Sequence, residues 1–94
     1  MEYEVCFTFF IESGTKEGIE LKDTLLHDLD TIPQIFVYDV YDDGEDWCID
    51  CIAEVTCDTI ENVHSNMSNL LKDTEVCWDY HYIKGIDNNE SWQP

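Results

Sequence analysis

The groups able to do chemistry in this 94-residue chain are five cysteines, three histidines and 22 carboxylates. Cys48-Ile49-Asp50-Cys51 is a CxxC, the spacing with which two thiolates converge on zinc from a tight turn. Here it falls inside an alternating run, which sends its two side chains to opposite faces of a strand and favours buried structural thiols. Cys6, Cys48, Cys77 and His81, with Asp50 and Asp79 nearby, are residue types that could bind zinc if the fold brought them together. Asp39 to Asp50 places Gly44 at the sixth position of a calcium loop. Tyr41 at the third position and Asp50 instead of Glu at the twelfth defeat that reading. No metal or other cofactor is expected.

Catalysis finds little to work with. Apart from cysteine, His27, His64 and His81 are the side chains that titrate near neutrality. His27 follows Asp23 by four residues, the spacing of an exposed helix pair. His64 has no evident nucleophile beside it. There is no Arg to clamp a phosphate or carboxylate substrate and no Gly-rich phosphate loop. A protein without enzymatic activity is expected.

Charge is the dominant feature. Four Lys against 22 Asp plus Glu give a net charge of −18, with 44% hydrophobic and 13% aromatic residues. That much apolar and aromatic content belongs to a folded domain, not to an acidic disordered tail. Direct contact with nucleic acid through a basic surface is excluded, as is attraction to an anionic membrane. A compact chain of this length has a radius of gyration near 12 Å and a diameter of roughly 32 Å. Eighteen net charges over that span amount to about one per 1.8 Å, against about 1.7 Å of axis in duplex DNA. Solubility alone needs a net charge of only about 2 to 8. The partner's surface must therefore be basic.

The elements that position these groups follow from periodicity. Tyr3 to Glu12 alternates, with Val5, Phe7, Phe9 and Ile11 on one face of a strand. Ser13 to Gly18 breaks it, and Leu21, Leu25, Leu29 and Ile32 then recur at helical spacing before Pro33. Gln34 to Asp42 reads as a second strand, and Asp42-Asp43-Gly44-Glu45-Asp46 as a hairpin loop. The third strand puts Trp47, Ile49, Cys51, Ala53, Val55 and Cys57 on one face and Cys48, Asp50, Ile52, Glu54 and Thr56 on the other. Asp58 and Glu61 suggest a capping box for a second helix with a stripe of Ile60, Val63, Met67, Leu70 and Leu71. Thr74 to Ile83 alternates once more, with Val76, Trp78, Tyr80 and Tyr82 together. The expected fold is α+β, a single ferredoxin-like β-α-β-β-α-β domain over residues 1–84 with a polar tail over 85–94. Its sheet is antiparallel and four-stranded, with two helices on one face.

That topology leaves the other sheet face uncovered. It places Glu4, Thr8, Glu12, Asp50 and Glu54 there, interspersed with Cys6, Phe10, Cys48 and Ile52. Asp79 and His81 join from an edge strand, and Asp39 as well if Ile35 and Val37 face outward. Several carboxylates then lie within a Debye length of one another, costly against a neutral partner and favourable against Lys and Arg. A merely solvated face is the plain alternative; Phe10, Ile52 and Tyr41 favour a contact surface.

Families with this topology are mostly excluded by their own motifs. The third strand offers Cys48, Asp50, Ile52 and Glu54 where RNA-recognition domains need basic and aromatic residues. Copper chaperones would need a CxxC within Ser13 to Gly18, and acylphosphatases need an Arg. In size, acidity, topology and the Trp78-Asp79-Tyr80 segment, the chain resembles the bacterial RNase E inhibitor family. It is also similar to small phage-encoded anti-CRISPR and anti-restriction proteins, which are short, acidic and without catalytic motifs.

The expectation is an acidic inhibitor that occupies a basic nucleic-acid-binding surface of a protein or nuclease complex, as a nucleic-acid mimic. The contact residues expected are Glu4, Glu12, Asp39, Asp50, Glu54 and Asp79 on the sheet and Asp42, Asp43, Glu45 and Asp46 at the hairpin tip. Phe10, Tyr41 and Trp47 would be the apolar anchors. An immunity or RNase-regulator protein occluding one cognate enzyme is one alternative, and a metal or small-ligand regulatory domain another. Without an n-region or a long apolar run the protein is expected in the cytoplasm of a bacterial or phage-infected cell. It would be a monomer, or a dimer through an edge strand or a helix, because like charges oppose pairing through the sheet face.

Overall fold

A computed structural model describes residues 1–94. The elements run β1 (Glu2–Glu12), α1 (Lys16–Asp30), β2 (Ile35–Asp42), β3 (Asp46–Thr56), α2 (Glu61–Leu70), β4 (Cys77–Gly85) and β5 (Ser91–Trp92). They form an α+β fold with two helices and one sheet in the order β2-β3-β1-β4-β5. Every neighbouring pair is antiparallel. No helix is long and apolar enough to cross a membrane.

The four-stranded ferredoxin-like sheet expected from the sequence is not matched exactly. The tail contributes a fifth strand, pairing Trp92 with Ile83 and Ser91 with Lys84. Packing drives this. Trp92 lies edge-on to Tyr80 and His64, with ring centroids at 5.2 and 4.8 Å. Tyr3 donates its hydroxyl to Glu90 at 3.3 Å from inside the core.

The core lies between the helices and one sheet face. Tyr3, Val5, Phe7 and Phe9 are fully buried, and they meet Ile49, Cys51 and Ala53 of β3, Leu25 and Leu29 of α1, and Val63 and Met67 of α2. Fully burying a side chain of this kind is worth roughly 1.5–3 kcal/mol. Leu21, expected in the same stripe, is 45% exposed. Each four-residue step overshoots a helical turn by about 40°, so Leu21 has rotated off the face that Leu29 presents. Thr15 caps α1 by accepting from the Gly18 N–H at 3.0 Å. A Cβ on Gly18 would collide with the Glu12 carbonyl, which lets β1 turn directly into α1. The capping box expected at Asp58 does not form: the N-cap of α2 is Ile60, which has no side chain able to cap.

Two irregularities decide which residues reach the uncovered face. Ile35 and Val37 oppose Ala53 and Cys51, so they face the core and not outward. A register shift between Val37 and Asp39 then resets β2, bringing Asp39 opposite Asp50 and Tyr41 opposite Cys48. Asp39 therefore reaches the open face by way of a bulge. In β4 the register shifts opposite Cys6 and Phe7. Trp78 and Tyr80 pair with Phe9 and Phe7, whereas Tyr82 pairs with Cys6 and Ile83 with Val5. Strict alternation had grouped Tyr82 with Trp78; the bulge exchanges it with Ile83, which is fully buried.

Candidate functional site

The cross-strand register arranges the uncovered face in rows that run across the strands. Nearest the hairpin, Tyr41, Cys48, Phe10 and Cys77 stand side by side. The next row is Asp39, Asp50, Thr8 and Asp79. Then come Phe36, Ile52, Cys6 and Tyr82, followed by Glu54, Glu4 and Lys84. Apolar and acidic rows alternate, with about 6.7 Å between rows and about 4.8 Å between strands.

Hydrogen bonds tie the rows together. Thr8, only 2% exposed, donates its hydroxyl to Asp50 at 2.6 Å and lies 2.6 Å from His81 Nε2. A hydroxyl has one proton, so with that proton on Asp50 the Thr8 oxygen accepts from His81, which fixes a proton on Nε2. Tyr38 reaches over the face with its hydroxyl 3.5 Å from the Cys6 sulfur. Tyr82 donates to Glu4 at 2.9 Å, and Lys84 Nζ lies 3.2 Å from the same carboxylate.

Three phenols and one thiol of the face hold their protons more tightly than usual. Burial and the Glu4 hydrogen bond push the Tyr82 phenol up to about 12. The Cys6 contact, followed by burial, raises that of Tyr38. The negative field of Asp50 raises Tyr41. Burial, and next the charge of Asp43, pushes up the Cys48 thiol, which disfavours the thiolate a nucleophile or metal ligand needs. In the Thr8–His81–Asp50 chain the hydroxyl stands between the imidazole and the carboxylate. A nucleophile triad instead puts the imidazole in the middle. Thr8 is also buried away from any substrate.

The metal option does not assemble. Cys48 and Cys77 flank Phe10 on either side, and Cys6 lies four residues further along β1. No three His, Cys, Asp or Glu side chains converge as a metal-holding group. Within the CxxC, Cys48 faces outward beneath Tyr41 and Asp43, whereas Cys51 is fully buried in the core. The two largest hollows, each about 290 Å³, lie at the margins of the face and touch the rows only at Glu54 in one and at Phe10 and Cys77 in the other. One is lined by Gln34, Glu54, Val55 and Leu70, the other by the start of α1 and residues 75–77. Both fall at the small end of the range for ligand pockets.

No protein-family model matches the chain, and no curated protein matches it. The likenesses to the RNase E inhibitor family and to small phage inhibitors rest on size, acidity and strand pattern.

Of the residues expected to make contact, Glu4, Asp39, Asp50, Glu54, Asp79, Phe10 and Tyr41 share the open face, with Glu12 and Asp46 paired at its rim. Asp42, Asp43 and Glu45 form the hairpin tip. Trp47 lies on the opposite, helix-facing side, half-buried against the core with Lys22 Nζ 4.0 Å from its ring centroid. Its indole N–H is buried without an acceptor. Sequence reasoning missed Phe36, 65% exposed, and Tyr38, 47% exposed, as members of the face. The period-two run Ile35-Phe36-Val37-Tyr38 held the signal, because burying Ile35 and Val37 must turn Phe36 and Tyr38 outward.

Proposed function

We propose that this protein is a non-catalytic inhibitor that occupies a basic nucleic-acid-binding surface on another protein, presenting carboxylates where phosphates would lie. The observation that carries the reading is the pair of acidic rows on an uncovered sheet face, in a chain with a net charge of −18. Its core is the ferredoxin-like split βαβ unit, extended by the tail strand. A nuclease of a bacterial defence system fits as the partner, in the manner of anti-CRISPR and anti-restriction proteins. The phenols of the face and the Cys48 thiol are held in their neutral forms, and the charge offered to a partner's Lys and Arg is that of carboxylates, which need no metal or cofactor to attract them.

The test is capture from a nuclease-treated bacterial lysate at low salt, followed by competition. The expected result is a basic nucleic-acid-binding protein that elutes as salt rises and is displaced by added duplex DNA or RNA. Recovery of no partner, or of one that nucleic acid does not displace, overturns the reading.

The exposed aromatics of β2 favour a second reading, a shape-specific inhibitor of one cognate enzyme. Truncating Phe36 or Tyr38 would then cost more affinity than neutralising Asp39 or Glu54.

A further inference from the structure

We infer that the uncovered sheet face, not the hairpin tip, makes the contact, and that it receives an extended partner segment whose same-side residues alternate between cationic and apolar. This rests on the reading of the protein as a binder of basic surfaces and names the chemistry of what it binds.

The tip is acidic, but two of its carboxylates, those of Asp42 and Asp43, build the turn. Asp42 accepts from the Gly44 N–H at 2.9 Å, and Gly44 has the positive φ of +101° that the turn requires. One Asp43 oxygen accepts from the N–H groups of Glu45 and Asp46 at 2.9 and 2.8 Å, and its other oxygen takes the Cys48 thiol at 3.6 Å. Those backbone bonds hold the Asp43 carboxyl below its ordinary range. A partner cation would have to compete with these donors.

On the face, Asp39, Glu54 and Asp79 have no donor of this chain on their carboxylates, whereas Asp50 accepts from Thr8 and Glu4 is held by Tyr82 and Lys84. Asp39 and Asp50 are direct cross-strand neighbours, Asp79 shares their row, and none of the four Lys stands in it. Like charges placed directly opposite destabilise a sheet, so a cation laid across this row relieves repulsion already built into the fold. Phe36, Tyr38 and Tyr41 are each more than two-fifths exposed beside it, an apolar surface with nothing of this chain covering it.

Row spacing selects the shape of the occupant. Same-side residues of an extended segment repeat about every 6.7 Å, equal to the row separation, so cation and apolar side chains stay in step over all four rows. A helix advances about 5.4 Å per turn and falls about 4 Å behind after three rows. A second copy of this chain would set acidic rows against acidic rows. The occupant is therefore an extended basic segment of another protein, stacked on the face as one sheet stacks on another.

The experiment is fluorescence anisotropy at low salt with two labelled nine-residue peptides of identical composition. In one, leucine and lysine alternate at every second position with serine between; in the other, the lysines and leucines are grouped in blocks. The alternating peptide is expected to bind at least tenfold more tightly. Phe36→Ser with Tyr38→Ser should cost at least tenfold, and Asp39→Asn with Glu54→Gln should do the same while flattening the salt dependence. Asp42→Asn and Glu45→Gln should change affinity less than twofold. Thermal melts of each variant establish that it is folded. Equal binding of the two peptides, or loss of binding at the tip variants while the face variants bind normally, overturns the inference. A captured partner that nucleic acid displaces, combined with no preference between the peptides, would leave the inhibitor reading standing and remove this one alone.

Discussion

Thr8 shows how one buried hydroxyl can organise a polar surface. It lies at the centre of the sheet, 2% exposed, and joins Asp50 of β3 to His81 of β4 across two strand pairs. Replacing it with valine keeps the shape but leaves the half-buried Asp50 carboxylate without its donor. Thr8→Val is expected to lower stability by about 1 kcal/mol, the lower end for an orphaned polar group because Asp50 keeps some access to water. Thr8→Ser keeps the hydroxyl and should preserve the network. Imidazole nitrogen NMR distinguishes a network effect from a packing effect. The proton on Nε2 of His81 should persist in the serine variant and redistribute between the ring nitrogens in the valine variant. An unchanged tautomer in Thr8→Val would show that His81 takes its orientation from elsewhere. Thr8 and His81 were both readable as open-face residues from alternation alone. Their contact was not, because it depends on how β4 is phased against β1.

At the scale of the elements, the sequence was legible where alternation is unbroken and illegible where a bulge intervenes. β1 and β3 run as written, each residue on its expected face over eleven residues. β2 and β4 each carry a register shift, and a one-residue slip moves every later side chain to the other face. That is why Tyr82 and Ile83 exchanged sides and why Asp39 reached the open face although Ile35 and Val37 point inward. The tail strand was hidden for a different reason. Ser91 and Trp92 are too few to show periodicity, and Trp92 is held by rings from α2 and β4 that only the fold brings together. All five tyrosines lie on β1, β2 and β4, and each phenol is raised above its ordinary value of 10.0. A group with a raised folded pKa contributes stability that is fully present below its unfolded value and lost as pH rises through its folded value. Denaturant midpoints should therefore hold up to pH about 9 and fall steadily above pH about 10. Near-ultraviolet phenolate absorbance of the native protein should develop later than that of the unfolded chain. Phenols that ionise together near 10 with no loss of stability would contradict the packing of these strands.

The whole molecule measures 43 × 24 × 19 Å, longer than a compact globule because two eleven-residue strands span about 36 Å. Its 18 net charges spread over 43 Å give about one per 2.4 Å (43 divided by 18), looser than the compact-chain figure and looser than the roughly 1.7 Å of duplex DNA. The mimicry proposed above therefore rests less on overall line density than on the rows of carboxylates that the register sets on the open face. The same charge acts against the fold. At 10 mM salt the Debye length is about 30 Å, so nearly every carboxylate interacts with the others; at 150 mM it is about 8 Å and only neighbours do. Screening also weakens the Lys84–Glu4 pair, but a surface pair with an exposed lysine is worth at most about 1 kcal/mol and stands against the self-repulsion of the entire surface. The Tm is therefore expected to rise as NaCl increases from about 10 mM to about 0.5 M, by about 4–8 °C for each kcal/mol of repulsion screened. Binding to a basic partner should respond with the opposite sign, weakening over the same salt range. A Tm that stayed flat or fell would mean that the repulsion is already compensated within the fold. The like-charged row of Asp39, Asp50 and Asp79 would then hold no strain for a partner's cations to relieve.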